Sequence, residues 1–323
     1  MMWINICTST GFIALFDMTK KILVFILISS FVASVSGAAD MLQYSGAGVI
    51  VRYPPSLRGA AVSLARSYPD VKSDLQAKLG WKADFVPLVI LIRRNSAFRQ
   101  QVRNDLVTAF AVPGQDLIVM DYSKVEATPF DVNATLEHEL CHLLLHRNVQ
   151  SPPKWLDEGV AQWASGGLAD VINPGQKNIL KQALLSNRLI PLGDLSSVFP
   201  VEPRGFILAY EESKSFVEYV VHKYGAEKLR VVLKRMKSGD PIDRALNITL
   251  GSNLDALQDA WQQSLRRRYS WPSYLADNLF WILFMAAALI TLIGYLQAKR
   301  RLREYRDEED EDLGGGDADD KMV

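Results

Sequence analysis

Three of the four histidines, His138, His142 and His146, fall within nine consecutive residues of the segment DVNATLEHELCHLLLHRN. Within it, HELCH matches the pattern H-E-x-x-H. Residues four apart on a helix share a face, so His138 and His142 can offer their imidazoles to one metal ion. Glu139 lies about 100° around the helix from His138. It flanks such an ion without being forced to ligate it, and a carboxylate there can take a proton from a metal-activated water. Two neutral imidazoles plus a carboxylate suit Zn²⁺, with one position left open for water.

The missing carboxylate ligand is offered soon afterwards. Ser151-Pro152-Pro153 reads as a helix start, with Ser151 at the cap and proline in the first turn. The following KWLDEGVAQWAS carries an apolar stripe of Leu156, Val160 and Trp163. Glu158 lies off that stripe, and Gly159 beside it allows a second backbone to approach closely. Two antiparallel helices joined by a short turn would return Glu158 toward His138 and His142. Asp157 and Gln162 are placed to orient a ligand imidazole. His146 competes for the third position, but it sits roughly 12 Å up the helix axis from His138. It reads as a residue behind the ligands or on the surface. Cys141 points away from the histidine face and reads as a small buried hydrophobe. His222, alone in a helical stretch, reads as an ordinary helical histidine.

Elements on either side must position this pair of helices. Asp131 or Asn133 can cap the first of them. Strands are expected over Gly46–Tyr53, Val86–Ile92 and Leu117–Tyr122, and one or two helices over Leu57–Leu79, with a break near Pro69. After Tyr122 the pattern turns helical. A small mixed sheet followed by a helical half makes an α+β domain, expected over residues 40–270. Gly166 to Arg204, rich in Gly and Pro, is expected to frame a cleft. Lys plus Arg number 36 and Asp plus Glu 36, so charge gives no global pull toward nucleic acid. Of the two cysteines, Cys7 lies in the N-terminal segment, which leaves Cys141 without a disulfide partner.

Both ends carry membrane signals. From Met18, Lys20 and Lys21 precede an apolar run from Ile22 to Val35 and the small residues Ser36 to Ala39, the layout of a secretory signal peptide. Residues 1–39 are therefore assigned to that signal, with Met18 as the expected start; the alternative is an uncleaved N-terminal anchor. Residues 278–298 carry no charge and suffice to span a bilayer as a helix. Lys299, Arg300, Arg301, Arg303 and Arg306 follow at once, which puts the C-terminus in the cytoplasm and the domain on the extracytoplasmic side. Residues 299–323, basic and then acidic, read as a disordered cytoplasmic tail. An intramembrane protease does not fit, because the HELCH helix has many polar flanks and lies far from both apolar segments.

HELCH (His138–His142), about fifteen residues and then WLDEGVA (Trp155–Ala161) together resemble the peptidase MA-like domains, a branch of the gluzincins. AYEESKSFVEYVVHKYG (Ala209–Gly225) and LGSNLDALQDAWQQSL (Leu250–Leu265) resemble later helices of that family. The likeness extends over about Val86 to Arg268. It implies a zincin-like fold with a strand over the cleft at Leu117–Tyr122. It also implies His138, His142 and Glu158 as zinc ligands, Glu139 as general base, and a peptide or protein as substrate. Tyr210, at the start of a later helix, would by the same likeness steady the oxyanion. The rival expectation is a catalytically inactive zincin-like module that binds or scaffolds at the cell envelope.

Overall fold

At Gly46-Ala47-Gly48 the chain turns back on itself: Ala47 and Gly48 both take positive φ, 54° and 83°. Two such residues make the tight turn whose twist suits a hairpin. The single strand expected over Gly46–Tyr53 is therefore the second arm of a hairpin, β1 (Leu42–Gly46) against β2 (Val49–Tyr53). The computed structural model describes residues 41–93, 108–125, 131–167, 178–269 and 271–314. The signal-peptide assignment at residues 1–39 and the end of the tail, 315–323, lie outside the described residues.

Helix α1 (Arg58–Leu79) follows and runs unbroken through Pro69. The expected break is absent because proline forfeits one backbone bond, whereas Leu64, Ala65, Tyr68, Val71 and Leu75 keep one side of the helix buried. Gly80 ends it in the left-handed conformation, its N–H bonded to the Gln76 carbonyl. Strands β3 (Leu88–Ile92), β4 (Ala109–Val112) and β5 (Leu117–Asp121) complete one five-stranded sheet in the order β1-β2-β3-β5-β4. β3 runs parallel to both β2 and β5; β4 pairs antiparallel with β5 and is the last strand of the sheet among the described residues. Every residue of β5 is buried, as expected of a strand paired on both sides and covered on both faces.

The helical half begins with α2 (Val132–Asn148). Asp131 caps it, its carboxylate accepting from the N–H groups of Asn133 at 2.7 Å and Ala134 at 3.1 Å. Leu136, Leu140, Cys141, Leu143, Leu144 and Leu145 are all buried, so α2 runs through the core with only part of one face open. Then come α3 (Lys154–Ala164), α4 (Ile179–Leu185), α5 (Pro203–Tyr224), α6 (Ala226–Lys237), α7 (Ile242–Leu250) and α8 (Leu254–Arg268). Ser151 is not the cap of α3. It takes a left-handed φ of 51°, and the helix starts behind Pro153, whose carbonyl receives the N–H groups of Leu156 and Asp157. Trp155 of α3, Phe216 of α5 and Trp261 of α8 stack edge-on in the core, at centroid distances of 5.2 and 5.9 Å. The indole N–H of Trp261 donates to Ser215 Oγ at 3.1 Å.

The chain divides into two compact units, residues 1–262 and 263–323. In the second, α9 (Trp271–Gly314) contains a stretch, Leu279–Arg301, that is long and apolar enough to cross a membrane. Every side chain from 279 to 301 is exposed. The helix continues to Gly314, which corrects the expectation of a disordered tail for residues 299–314. No Gly or Pro interrupts the sequence from Lys299 to Leu313.

Candidate metal centre

α2 and α3 together bring His138, His142 and Glu158 to one point. Both histidines lie one turn apart on the open face of α2, and their Nε2 atoms are 3.2 Å apart. Glu158 Oε2, from α3, stands 3.5 Å from each of them. The three side chains are buried, and among the described residues they form the group whose donor atoms could hold a metal ion.

Two features decide whether this set fits zinc. Four donors around Zn²⁺ at about 2.0–2.1 Å lie about 3.3 Å from one another, close to the 3.2 and 3.5 Å edges of this triangle. Glu158 Oε2 is buried with no hydrogen-bond partner, an arrangement that costs free energy unless a cation satisfies it. Two imidazole nitrogens with one carboxylate oxygen are also the donor types zinc accepts in open sites. The residues fit the ion.

Around the triangle, further groups fix the donors. Asp157 Oδ1 lies 2.7 Å from His142 Nδ1, and its Oδ2 lies 3.0 Å from His146 Nε2. A carboxylate on Nδ1 selects the tautomer that leaves Nε2 free to ligate. His146 thus stands behind the ligands, as its position along the helix implied. Burial lowers the affinity of His142 for a proton, but Asp157 and Glu158 more than reverse this and hold its pKa well above the usual range. Burial pushes the carboxyl of Glu158 up, and Lys154 with His142 overcomes it, leaving the pKa well below normal. For Asp157 burial again acts upward, and His142 and His146 again win.

Glu139 lines the same cleft and is buried. Burial raises its pKa above the usual carboxylate value, with His138 and His142 partly opposing. Tyr210, on α5, also lines the cleft; its ring meets Phe199 edge-on at 5.2 Å and leans on Phe206 at 4.7 Å. Burial and then the Glu158 carboxylate hold its phenol well above the ordinary value, so it is a protonated donor. Gly159 is what lets α5 come so close: a Cβ there would lie 2.5 Å from the Ser213 carbonyl oxygen. Cys141 faces the core and is fully buried, which raises its pKa well above the usual thiol value. His222 is exposed on α5.

The cleft holds about 480 Å³. Its far wall is β4, through Ala109, Phe110 and Ala111, and not the Leu117–Tyr122 strand expected there. β5 cannot serve, because β3 and β4 occupy both of its edges. From the Gly166–Arg204 stretch, Ser196 and Ser197 reach the cleft; residues 168–177 lie outside the described residues. Sequence reading overlooked Lys154, whose ammonium lies 2.6 Å from Glu158 Oε1. Its signal was the four-residue spacing from Glu158 on a helix.

A family model of the peptidase MA superfamily matches residues 119–267. Among solved structures, the chain is similar to an M1 zinc metallopeptidase from Deinococcus radiodurans at 17% identity and a TM-score of 0.43, covering 69% of this chain and 51% of that one. A mutant of an M1 zinc metallopeptidase from the same organism, bound to a Tyr-Ser-Ala substrate, is similar at 16% identity and a TM-score of 0.38, with 68% and 50% covered. Aminopeptidase A from Legionella pneumophila, in complex with aspartic acid, is similar at 11% identity and a TM-score of 0.40, with 69% and 27% covered. This chain thus spans about half the length of the first two and less of the third. No curated protein matches it.

Proposed function

We propose, for a chain whose residues 119–267 belong to the peptidase MA superfamily, that it is a membrane-anchored zinc peptidase with His138, His142 and Glu158 as its metal ligands. The observation that carries this reading is the triangle of His138 Nε2, His142 Nε2 and Glu158 Oε2, with edges of 3.2, 3.5 and 3.5 Å. A zinc ion held there would supply Lewis acidity to a water molecule and to the scissile carbonyl.

The remaining chemistry falls to the protein. Glu139, with a raised pKa, accepts the proton of the attacking water and hands it to the leaving amine. The peptide bond and one water become a carboxylate and an amine, and Glu139 ends as it began. Tyr210, held protonated, donates to the oxygen of the scissile carbonyl as charge builds on it. Asp157 keeps the His142 ring aligned throughout. Among the described residues β4 is the last strand of the sheet and it lines the cleft, so an extended substrate can run beside it.

Residues 40–270 would form the catalytic domain. Leu279–Arg301 supports a single membrane span, and the cationic run Lys299–Arg306 supports a cytoplasmic C-terminus. The test uses the full chain in detergent. About one zinc per chain is expected, with loss in Glu158→Ala. Glu139→Gln should keep its zinc yet cleave a quenched fluorescent peptide library about 10²–10⁴-fold more slowly. A folded wild-type chain without zinc would refute the reading.

A further inference from the structure

Lys154 opens α3, and its ammonium reaches one turn forward to Glu158, donating to Oε1 at 2.6 Å. Pairs at this spacing contribute little when both partners sit in water. Here the partners differ: the Lys154 side chain is 39% exposed and that of Glu158 only 4%. The ammonium also lies 5.6 Å above the Phe199 ring, which in turn meets Tyr210. It is thus held between an aromatic face and a buried carboxylate.

The two oxygens of Glu158 have separate duties. Oε1 accepts a hydrogen bond from the Lys154 ammonium, whereas Oε2 has no hydrogen-bond partner and faces both imidazoles at 3.5 Å. The last torsion of a glutamate is broad and roughly two-fold, so nothing intrinsic to the side chain chooses one oxygen over the other. We infer that Lys154 is a positioning residue of the metal centre: its ammonium pins Oε1, so that Oε2 alone is presented to the ion. This rests on the zinc-peptidase reading above.

The inference is tested on the full chain in detergent, by zinc affinity from competition with a chromophoric chelator. Thermal unfolding in excess chelator, read alongside, reports the metal-free fold. Lys154→Met keeps the apolar stem and loses the charge; Lys154→Arg keeps both reach and charge. Lys154→Met should lose about 10–100-fold in zinc affinity, as for other groups behind a ligand, while Lys154→Arg stays within about threefold of wild type. Cobalt(II) in place of zinc gives a second reading. Its visible bands should weaken in Lys154→Met, because a freed Glu158 can turn both oxygens to the ion and raise its coordination number. If Lys154→Met loses the metal-free fold, Lys154→Gln takes its place with the same two readings. Unchanged affinity in the neutral variant overturns the inference, as does an equal loss in Lys154→Arg. A wild-type chain that binds no zinc overturns the zinc reading and this inference together. A wild-type chain that binds zinc beside an unaffected Lys154→Met overturns this inference alone.

Discussion

Gly159→Ala is a sharp test of how the site is assembled. The added Cβ would lie 2.5 Å from the Ser213 carbonyl oxygen, 2.7 Å from Val217 Cγ2 and 2.9 Å from the Ser213 carbonyl carbon. A carbon and a carbonyl oxygen in close contact stay about 3.3–3.6 Å apart, so α3 and α5 would have to separate by roughly 0.8–1 Å at this point. Two of the three atoms met are backbone, and Ser213 and Val217 are buried, so no side chain can swing aside. Overpacking of this kind costs about 1–3 kcal/mol, and the upper end applies to a clash with backbone. Alanine recovers about 1 kcal/mol through its higher helix propensity. The net loss is about 2 kcal/mol, which lowers Tm by about 4–8 °C in a domain of this size. Because Glu158 precedes Gly159 and Tyr210 shares α5 with Ser213, zinc affinity should fall as well. Thermal unfolding in chelator measures the first effect and chelator competition the second. A Gly159→Ala chain that melts higher than wild type, as propensity alone would give, refutes the close-packing argument.

Two further outcomes follow from the same reasoning. Asp157→Ala removes the carboxylate that holds His142 Nδ1 at 2.7 Å, so chelator competition should report about 10–100-fold weaker zinc binding; unchanged affinity would deny Asp157 that role. Glu212 of α5 is fully buried, accepts the Ile190 N–H at 3.0 Å, and is pushed by burial up to about 8 from 4.5. The native state therefore binds the extra proton between those values, and stability falls as pH rises through that window, by at most about 5 kcal/mol. Glu212→Gln should flatten the dependence of Tm on pH from 4.5 to 8, and parallel wild-type and variant curves would refute the assignment.

Much of the centre was legible because its chemistry is local. His138 and His142 are related by one helical turn, Asp131 caps the helix that carries them, and Glu158 sits on the next helix after a five-residue link. Each of these is a statement about spacing. What escaped were contacts across elements or with weak signals. β4 is four residues, Ala-Phe-Ala-Val, with one β-branched side chain and no polar alternation, and its place against the cleft follows only from its pairing with β5. The hairpin turn rests on Ala47 at positive φ, which no propensity favours. His146 meets Asp157 across eleven residues, a contact set by how α2 and α3 pack. Lys154 was readable by spacing, but an i,i+4 Lys–Glu pair on a helix is ordinarily a surface pair, and only the burial of Glu158 distinguishes it.

Charge gives an independent reason why the centre suits a divalent ion. The charged residues lining the cleft are the carboxylates of Glu139, Asp157 and Glu158, the ammonium of Lys154, and three imidazoles. With the imidazoles neutral, three negative charges face one positive charge in a largely buried place. Such an excess is costly where water is sparse. It can be met by protons or by a cation carrying two charges. Two groups titrate in the direction of the first solution, the pKa of His142 standing well above normal and that of Glu139 being raised, while Glu158 and Asp157 are held ionised. A doubly charged ion at the triangle would replace those protons, since its ligands must be deprotonated to bind it. Lys154 bears on the same balance. Without it the cleft would carry one more uncompensated charge than a divalent ion can neutralise, so its place beside Glu158 matches the charge of the lining to that of a divalent ion.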